Sequence, residues 1–201
     1  LPIEGGNFQQ QIVGTNFSTS GAAQLRFDSG SSGPTIALCH SKNSTKGSHT
    51  ILDDNDEFGK LRFYGSDGTD FNNYGAEIRA VVNGTPSAND MPGALIFGTT
   101  PDGGTGAIER MRINSAGQVS IGVTTPRQRL HVNVSDSGAS NMVFTNTTTG
   151  TSATDGFVVG ITGSEEAQIW NQENTNLKFA TNDTLALTIS NSQNATFAGT
   201  V

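Results

Sequence analysis

The apolar residues of this chain fall in short runs that alternate at a period of two, and that periodicity restricts the fold more than any other feature. Leu25 and Phe27, Ile36 and Leu38, Leu61 and Phe63, and Leu95 and Phe97 each sit two apart. Ile78, Ala80 and Val82 follow the same spacing, as do Met111 and Ile113, and Val119, Ile121 and Val123. The second half continues with Leu130, Val132 and Val134; Met142 and Phe144; Phe157, Val159 and Ile161; Leu177 and Phe179; and Leu185, Leu187 and Ile189. Successive side chains of a strand point to opposite faces, so each run places its apolar set on one side. Between the runs stand turn formers such as Asp28-Ser29-Gly30, Ser66-Asp67-Gly68, Asn83-Gly84, Asp102-Gly103-Gly104 and Ala116-Gly117. No window carries a useful apolar stripe at helical spacing. The pattern predicts an all-β chain of about fourteen short strands with no substantial helix.

These apolar faces are narrow. Only 33% of the residues are hydrophobic, and Gly, Thr, Ser and Asn together make up 87 of 201. The charged fraction is 14%, too low for the charge-driven disorder that a poor apolar content can otherwise signal. A single chain of this composition would struggle to close a core of its own. Three chains around one axis could point Leu, Ile, Met, Val and Phe inward and leave Thr, Ser and Asn outside. Pairing sheets between chains also removes exposed edges. The expected assembly is therefore an intertwined homotrimer. For the best-defined run this means Ile113 inward and Arg112 outward, in water.

The remaining bulk properties exclude partners. A net charge of −7 argues against a phosphate-backbone ligand and so against nucleic acid. No stretch nears the ~20 consecutive apolar residues of a membrane-spanning helix, so no membrane insertion is expected. No secretory leader is visible, and the start at Leu1 without an initiator methionine suggests a piece of a longer protein. The one cysteine, Cys39, cannot form an internal disulfide, and a buried small hydrophobe is its expected role.

An internal repeat divides the chain. LIFGTT (Leu95 to Thr100) is echoed by LKFATN (Leu177 to Asn182), and MRINSAGQVSIG (Met111 to Gly122) by LTISNSQNATFA (Leu187 to Ala198). Upstream, AEI (Ala76 to Ile78) is echoed by AQI (Ala167 to Ile169). The expected organisation is a connector over 1–20, a first β-rich unit over 21–123, a Pro-containing hinge over 124–130 and a second, shorter unit over 131–201. Repeated units of this kind bury their apolar faces by stacking on each other or on neighbouring chains.

Candidate sites each carry two readings. Asp53, Asp54 and Asp56 form the densest acidic cluster; it is a Ca²⁺ site or a solvated loop, and its spacing is not that of an EF-hand. No other cofactor is called for. Trp170, Tyr64, Tyr74 and Phe71 offer aromatic faces that suit the apolar face of a sugar ring, or simply pack. Trp170 follows Ile169 and so points to the opposite face from it. The carboxylates Asp53, Asp56, Glu77, Asp102, Glu109, Glu165 and Glu166 show no spacing that selects a glycosidase pair. No catalytic residue is assigned. His40, His49 and His131 lack ligand spacing and read as ordinary surface residues.

The string ERMRINSAGQVSIGVTTPRQRLHV (Glu109 to Val132) resembles the shaft of bacteriophage tail fibres and tailspikes, where a similar strand, Gly turn, strand, Pro hinge and L-H-V strand recur. TISNSQNATFAGTV (Thr188 to Val201) resembles the segment that often precedes a C-terminal intramolecular chaperone in those proteins. The likeness is concentrated in about residues 94–134 and 165–201. It departs at Ile121-Gly122-Val123, where the family usually reads I-G-T, and the chaperone itself is absent. The resemblance implies an elongated, repetitive homotrimer of β-sandwich, β-prism or triple-β-helix type in the virion tail, outside the cell. Met111, Ile113, Val119, Ile121, Leu187, Ile189 and Phe197 would form the trimer core. Other phage tail proteins would attach through the missing N-terminal region, and host surface polysaccharide or lipopolysaccharide would be the target. The implied function is structural and adhesive, not enzymatic. The alternatives are a fragment of a polysaccharide depolymerase and a bacterial surface adhesin.

Overall fold

The structure, a computed structural model, describes Ser31 and residues 36–199. Ser31 and residues 36–39 belong to one unit of the chain, and residues 40–199 to a second. The expected connector and the Leu25–Phe27 run lie outside the described residues. The Ile36–Leu38 run is not a strand, and both residues are exposed.

Twelve strands occupy the second unit: β1 (Glu57–Tyr64), β2 (Tyr74–Val82), β3 (Gly93–Thr99), β4 (Ile108–Ile113), β5 (Val119–Ile121), β6 (Leu130–Val132), β7 (Ser140–Phe144), β8 (Phe157–Ile161), β9 (Ala167–Asn171), β10 (Leu177–Thr181), β11 (Thr184–Ile189) and β12 (Ala195–Phe197). Ten of them are the alternating runs; β9 and β12 were visible only as repeat echoes. Among the described residues there is no helix, and the fold is all-β. The strands form a six-stranded sheet β1-β2-β3-β4-β5-β6 and two three-stranded sheets, β7-β8-β9 and β10-β11-β12. Neighbours are antiparallel except β5 and β6, which run parallel across the Pro126 segment. The large sheet thus continues past that segment, and β6 belongs to it.

The register sorts the six-stranded sheet into two unlike faces. One carries Leu61, Ile78, Phe97, Met111, Ile121 and Val132 in one row, and Ala80, Leu95, Ile113, Val119 and Leu130 in the next. This is the face the alternation predicts to be apolar. In the single chain it is open: Leu61 is 54% and Phe63 57% exposed, and Leu95, Ile113, Ile121 and Leu130 are exposed too.

The opposite face holds the chain's own small core. Val81, Ala94 and Ile96 cluster there, with Ile96 2% exposed; burying the Val81 and Ile96 side chains stabilises by about 1.5–3 kcal/mol each, and Ala94 adds less. Around them lies a charged network. Glu77, 6% exposed, takes Arg62 at 3.1 Å and Arg79 at 3.4 Å. Arg112 pairs with both carboxylate oxygens of Glu109, at 2.6 and 2.8 Å, and both side chains are 13% exposed. Arg112 does lie across the sheet from Ile113, but it does not project freely into water.

A β-bulge makes that pair. Residues three apart on a plain strand point to opposite faces. Phe97 pairs with Met111 but Gly98 with Glu109, so Arg110 is the extra residue and Glu109 returns to the face of Arg112. Phe58 is similarly inserted between Glu57 and Gly59, and Lys60 then reaches Glu57 at 2.9 Å.

The three-stranded repeat is reproduced in detail. Leu95, Phe97, Met111, Ile113, Val119 and Ile121 have the same mutual register as Leu177, Phe179, Leu187, Ile189, Ala195 and Phe197. Both copies carry a bulge, at Arg110 and Ala186. Both close the following turn alike, Asn114 with Gln118 and Ser190 with Asn194, each with a left-handed residue, Gly117 (φ 71) or Gln193 (φ 64). The second bulge corrects one expectation: Leu185 pairs with Ala180 and leaves the face shared by Leu187 and Ile189.

Candidate functional site

The acidic cluster forms a turn ahead of β1. Asp53 N–H donates to Asp56 Oδ2 at 2.7 Å, and Asp56 N–H donates back to Asp53 O at 3.0 Å. Asp54 Oδ1 accepts from Gly84 N–H at 2.8 Å. Lys42 Nζ lies 2.6 Å from Asp53 Oδ2 and 3.0 Å from Asp56 Oδ2. The Asp53 N–H, and then Lys42, hold the Asp56 carboxyl below its ordinary range; Asp53 and then Asp56 raise the Lys42 ammonium. The cation held by these carboxylates is thus an ammonium of the chain itself. The turn also covers Val82, whose N–H and C=O bond to Asp56 O and Asn55 N–H. Among the described residues no three His, Cys, Asp or Glu side chains gather as metal ligands.

The aromatic candidates divide between two sheets. Tyr64 and Tyr74 are register partners at one end of the large sheet, ring centroids 5.7 Å apart in an edge arrangement. The Arg62 guanidinium lies 4.0 Å over the Tyr74 ring, so one face of that ring is occupied. Phe71 is exposed in the connection between β1 and β2.

Trp170 stands apart, on β9. The β7-β8-β9 sheet places Met142, Val159 and Ile169 in one row and Val143, Val158 and Trp170 in the next, so the two rows face opposite ways. Trp170 is 56% exposed. It borders an open groove of about 650 Å³, whose lining includes Asn141, Val143, Ser152, Asp155, Val158, Gln168 and Gln172. Gln168 Nε2 donates to Asn141 Oδ1 at 2.9 Å across Gly160. A Cβ at Gly160 would collide with Asn141 and the Ser140 carbonyl, so glycine is what admits that bridge. Asp155 Oδ2 accepts from Ser152 N–H at 2.7 Å, and the Ser152 hydroxyl and then this N–H keep its carboxyl below the usual range. Sequence reasoning singled out Trp170 alone. The amides and Asp155 come from three separate segments, and only the register brings them together.

The remaining candidates are dispersed. His40 and His49 line a second cavity of about 500 Å³ with Leu52 and Met91, while His131 lies on β6. Cys39 is exposed, contrary to the expectation of burial. Glu77 and Glu109 are engaged by arginines. No protein-family model matches the chain, and no curated protein shows significant similarity to it.

Proposed function

We propose that this chain is a structural and host-adhesion segment of a phage tail fibre or tailspike, working as a homotrimer that presents three copies of one surface to host glycan. The observation that carries the reading is the open apolar face of the large sheet. Monomeric soluble proteins rarely expose a contiguous apolar patch of more than a few hundred Å². Here one apolar row crosses six strands and a second crosses five, with Leu61, Leu95, Ile113, Ile121 and Leu130 exposed, while the core of the single chain sits on the other side. The same face recurs in β10-β11-β12 through Phe179, Leu187, Ile189 and Phe197. A repeated apolar face suits repeated self-contact, and the likeness of residues 94–134 and 165–201 to tail-fibre shafts supplies the setting. Three copies let weak glycan contacts add by avidity. Other phage tail proteins would be its attachment partners.

Multi-angle light scattering tests the assembly. The expected mass is three times the 20.9 kDa of one chain. A folded monomer at micromolar concentration overturns the reading.

A further inference from the structure

We infer that the groove beside Trp170 is a binding subsite for a neutral oligosaccharide, an inference that rests on the adhesive reading and narrows its ligand. Three observations converge there. First, Trp170 lies across the sheet from Met142, Val159 and Ile169, so an assembly that covers the apolar face leaves the indole accessible. With Val143 and Val158 in register beside it, the indole forms an apolar strip on which a sugar ring can stack.

Second, the strip is flanked by amides that are already oriented. Gln168 Nε2 is bonded to Asn141 Oδ1, which leaves Gln168 Oε1 as an acceptor and Asn141 Nδ2 as a donor. An adjacent donor and acceptor match two neighbouring sugar hydroxyls. Because each amide holds the other, little side-chain freedom remains to be lost on binding. The volume, about 650 Å³, lies within the ~300–1,000 Å³ of small-molecule sites.

Third, the charge selects among glycans. The lining includes Asp155 and neither lysine nor arginine, and the chain carries a net charge of −7. A uronate, sialate or phosphate group would meet like charge with no cation to pair it. Neutral hexoses carry no such cost. The target is therefore an uncharged glycan, not an acidic capsule or a phosphorylated lipopolysaccharide core.

The chain's single tryptophan makes the test site-specific, since all indole emission comes from the groove. The assembled protein is titrated with maltohexaose, cellohexaose and mannohexaose, and with hexagalacturonate and oligosialic acid as acidic probes. A saturable change in emission is expected with at least one neutral probe and none with either acidic probe. For the neutral probe that binds, Gln168→Ala should weaken affinity by about tenfold, the loss of one oriented pair of hydrogen bonds. In calorimetry Trp170→Ala should abolish binding while Trp170→Phe retains part of it. No response to any neutral probe, an equal or stronger response to an acidic one, or full affinity in Gln168→Ala overturns the subsite. Light scattering on the same samples separates the claims: a trimer without response refutes the groove alone, and a responsive monomer refutes the assembly alone.

Discussion

The strands β3-β4-β5 and β10-β11-β12 share register, bulge and turn, yet they live in different surroundings. The first triplet is extended by β2 and β1 on one edge, and its far face is packed around Ile96 and the Arg112–Glu109 pair. The second triplet stands as a separate sheet. β9 carries the AQI echo of β2, but it pairs with β8 and not with β10. On the far face of the second triplet are Lys178, Thr188 and Thr196, in register. Among the described residues every ion pair lies between Lys42 and Arg112, and Val158 is the only buried large hydrophobic residue beyond Ile96. The comparison separates two kinds of information. Strand register and turn geometry are written locally and survive copying; a private core is not copied with them. In the proposed assembly the second region would depend on association more heavily than the first.

The largest expected effect tests that dependence. Ile113→Asp and Leu187→Asp each put a carboxylate on the apolar face, and three copies near one axis would add like-charge repulsion to desolvation. Both should reduce the scattering mass to one chain. They should then diverge in amide hydrogen exchange. Ile113→Asp should keep protection in β2 and β3, whose core is on the other side. Leu187→Asp should lose protection throughout β10-β11-β12. Equal protection in both variants would erase the proposed difference.

Arg112→Ala should come next. It strands Glu109 in a partly buried position, at a cost of roughly 3 kcal/mol, visible as a lower urea midpoint. From the sequence a change at Arg112 would be expected to be close to neutral, within about 0.5 kcal/mol. A midpoint unchanged from the parent would restore that view and deny the first region its charged scaffold.

A smaller effect compares the two turns residue for residue. Gly117 and Gln193 hold the same left-handed position, which costs a side-chain-bearing residue about 1 kcal/mol. Gln193→Gly should stabilise by up to that amount, and Gly117→Gln should destabilise similarly. Thermal melts that move in the same direction would mean the two turns are not equivalent.

The smallest effect is a pH response in the turn ahead of β1. The folded Asp56 carboxyl lies below its ordinary 3.8, so its contribution is fully present above that value and fades as pH falls below it. The Lys42 ammonium lies above its ordinary 10.5, so its contribution is present below that value and is lost as pH rises past it. Order in residues 42–56, followed by amide chemical shifts, should be flat between about 4 and 10 and fall at both ends. Lys42→Met should flatten the alkaline limb.

Much of this was legible in the sequence. Period-two alternation located ten strands because one residue in two must face the same way. The repeat was visible because Leu-x-Phe and the Asn or Ser turn recur at fixed places. What alternation could not reveal is a bulge, because an inserted residue leaves composition unchanged while reversing the faces on one side of it. Hence Leu185 was placed with Leu187, and Glu109 was not paired with Arg112. The glycine of Ile121-Gly122-Val123 also has a physical basis. Gly122 has φ 77, and a Cβ there would strike the Asn133 carbonyl of the returning chain; the matching residue in the second copy is Ala198. Burial was the least legible property. Apolar residues announce a face, but whether the chain or its partner covers that face depends on contacts between distant segments. The groove was hidden for the same reason: Asn141, Asp155 and Gln168 are unremarkable until β7, β8 and β9 align them.

The bulge at Arg110 makes the gene tolerant of both exchange and loss at that codon. Exchanging the residue trims an exposed side chain hydrogen-bonded to Thr99, a minor loss. Deleting it restores plain alternation with Glu109 still opposite Gly98 and still on the face of Arg112, so no charge reaches the apolar face. The same holds for Ala186, whose deletion would leave Leu185 opposite Ala180 and forfeit only the Ala186 carbonyl that receives the Ala198 N–H. Such a chain would accept in-frame losses at these two codons better than at their paired neighbours Met111 and Leu187, a signature that deep mutational scanning with single-codon deletions would read directly.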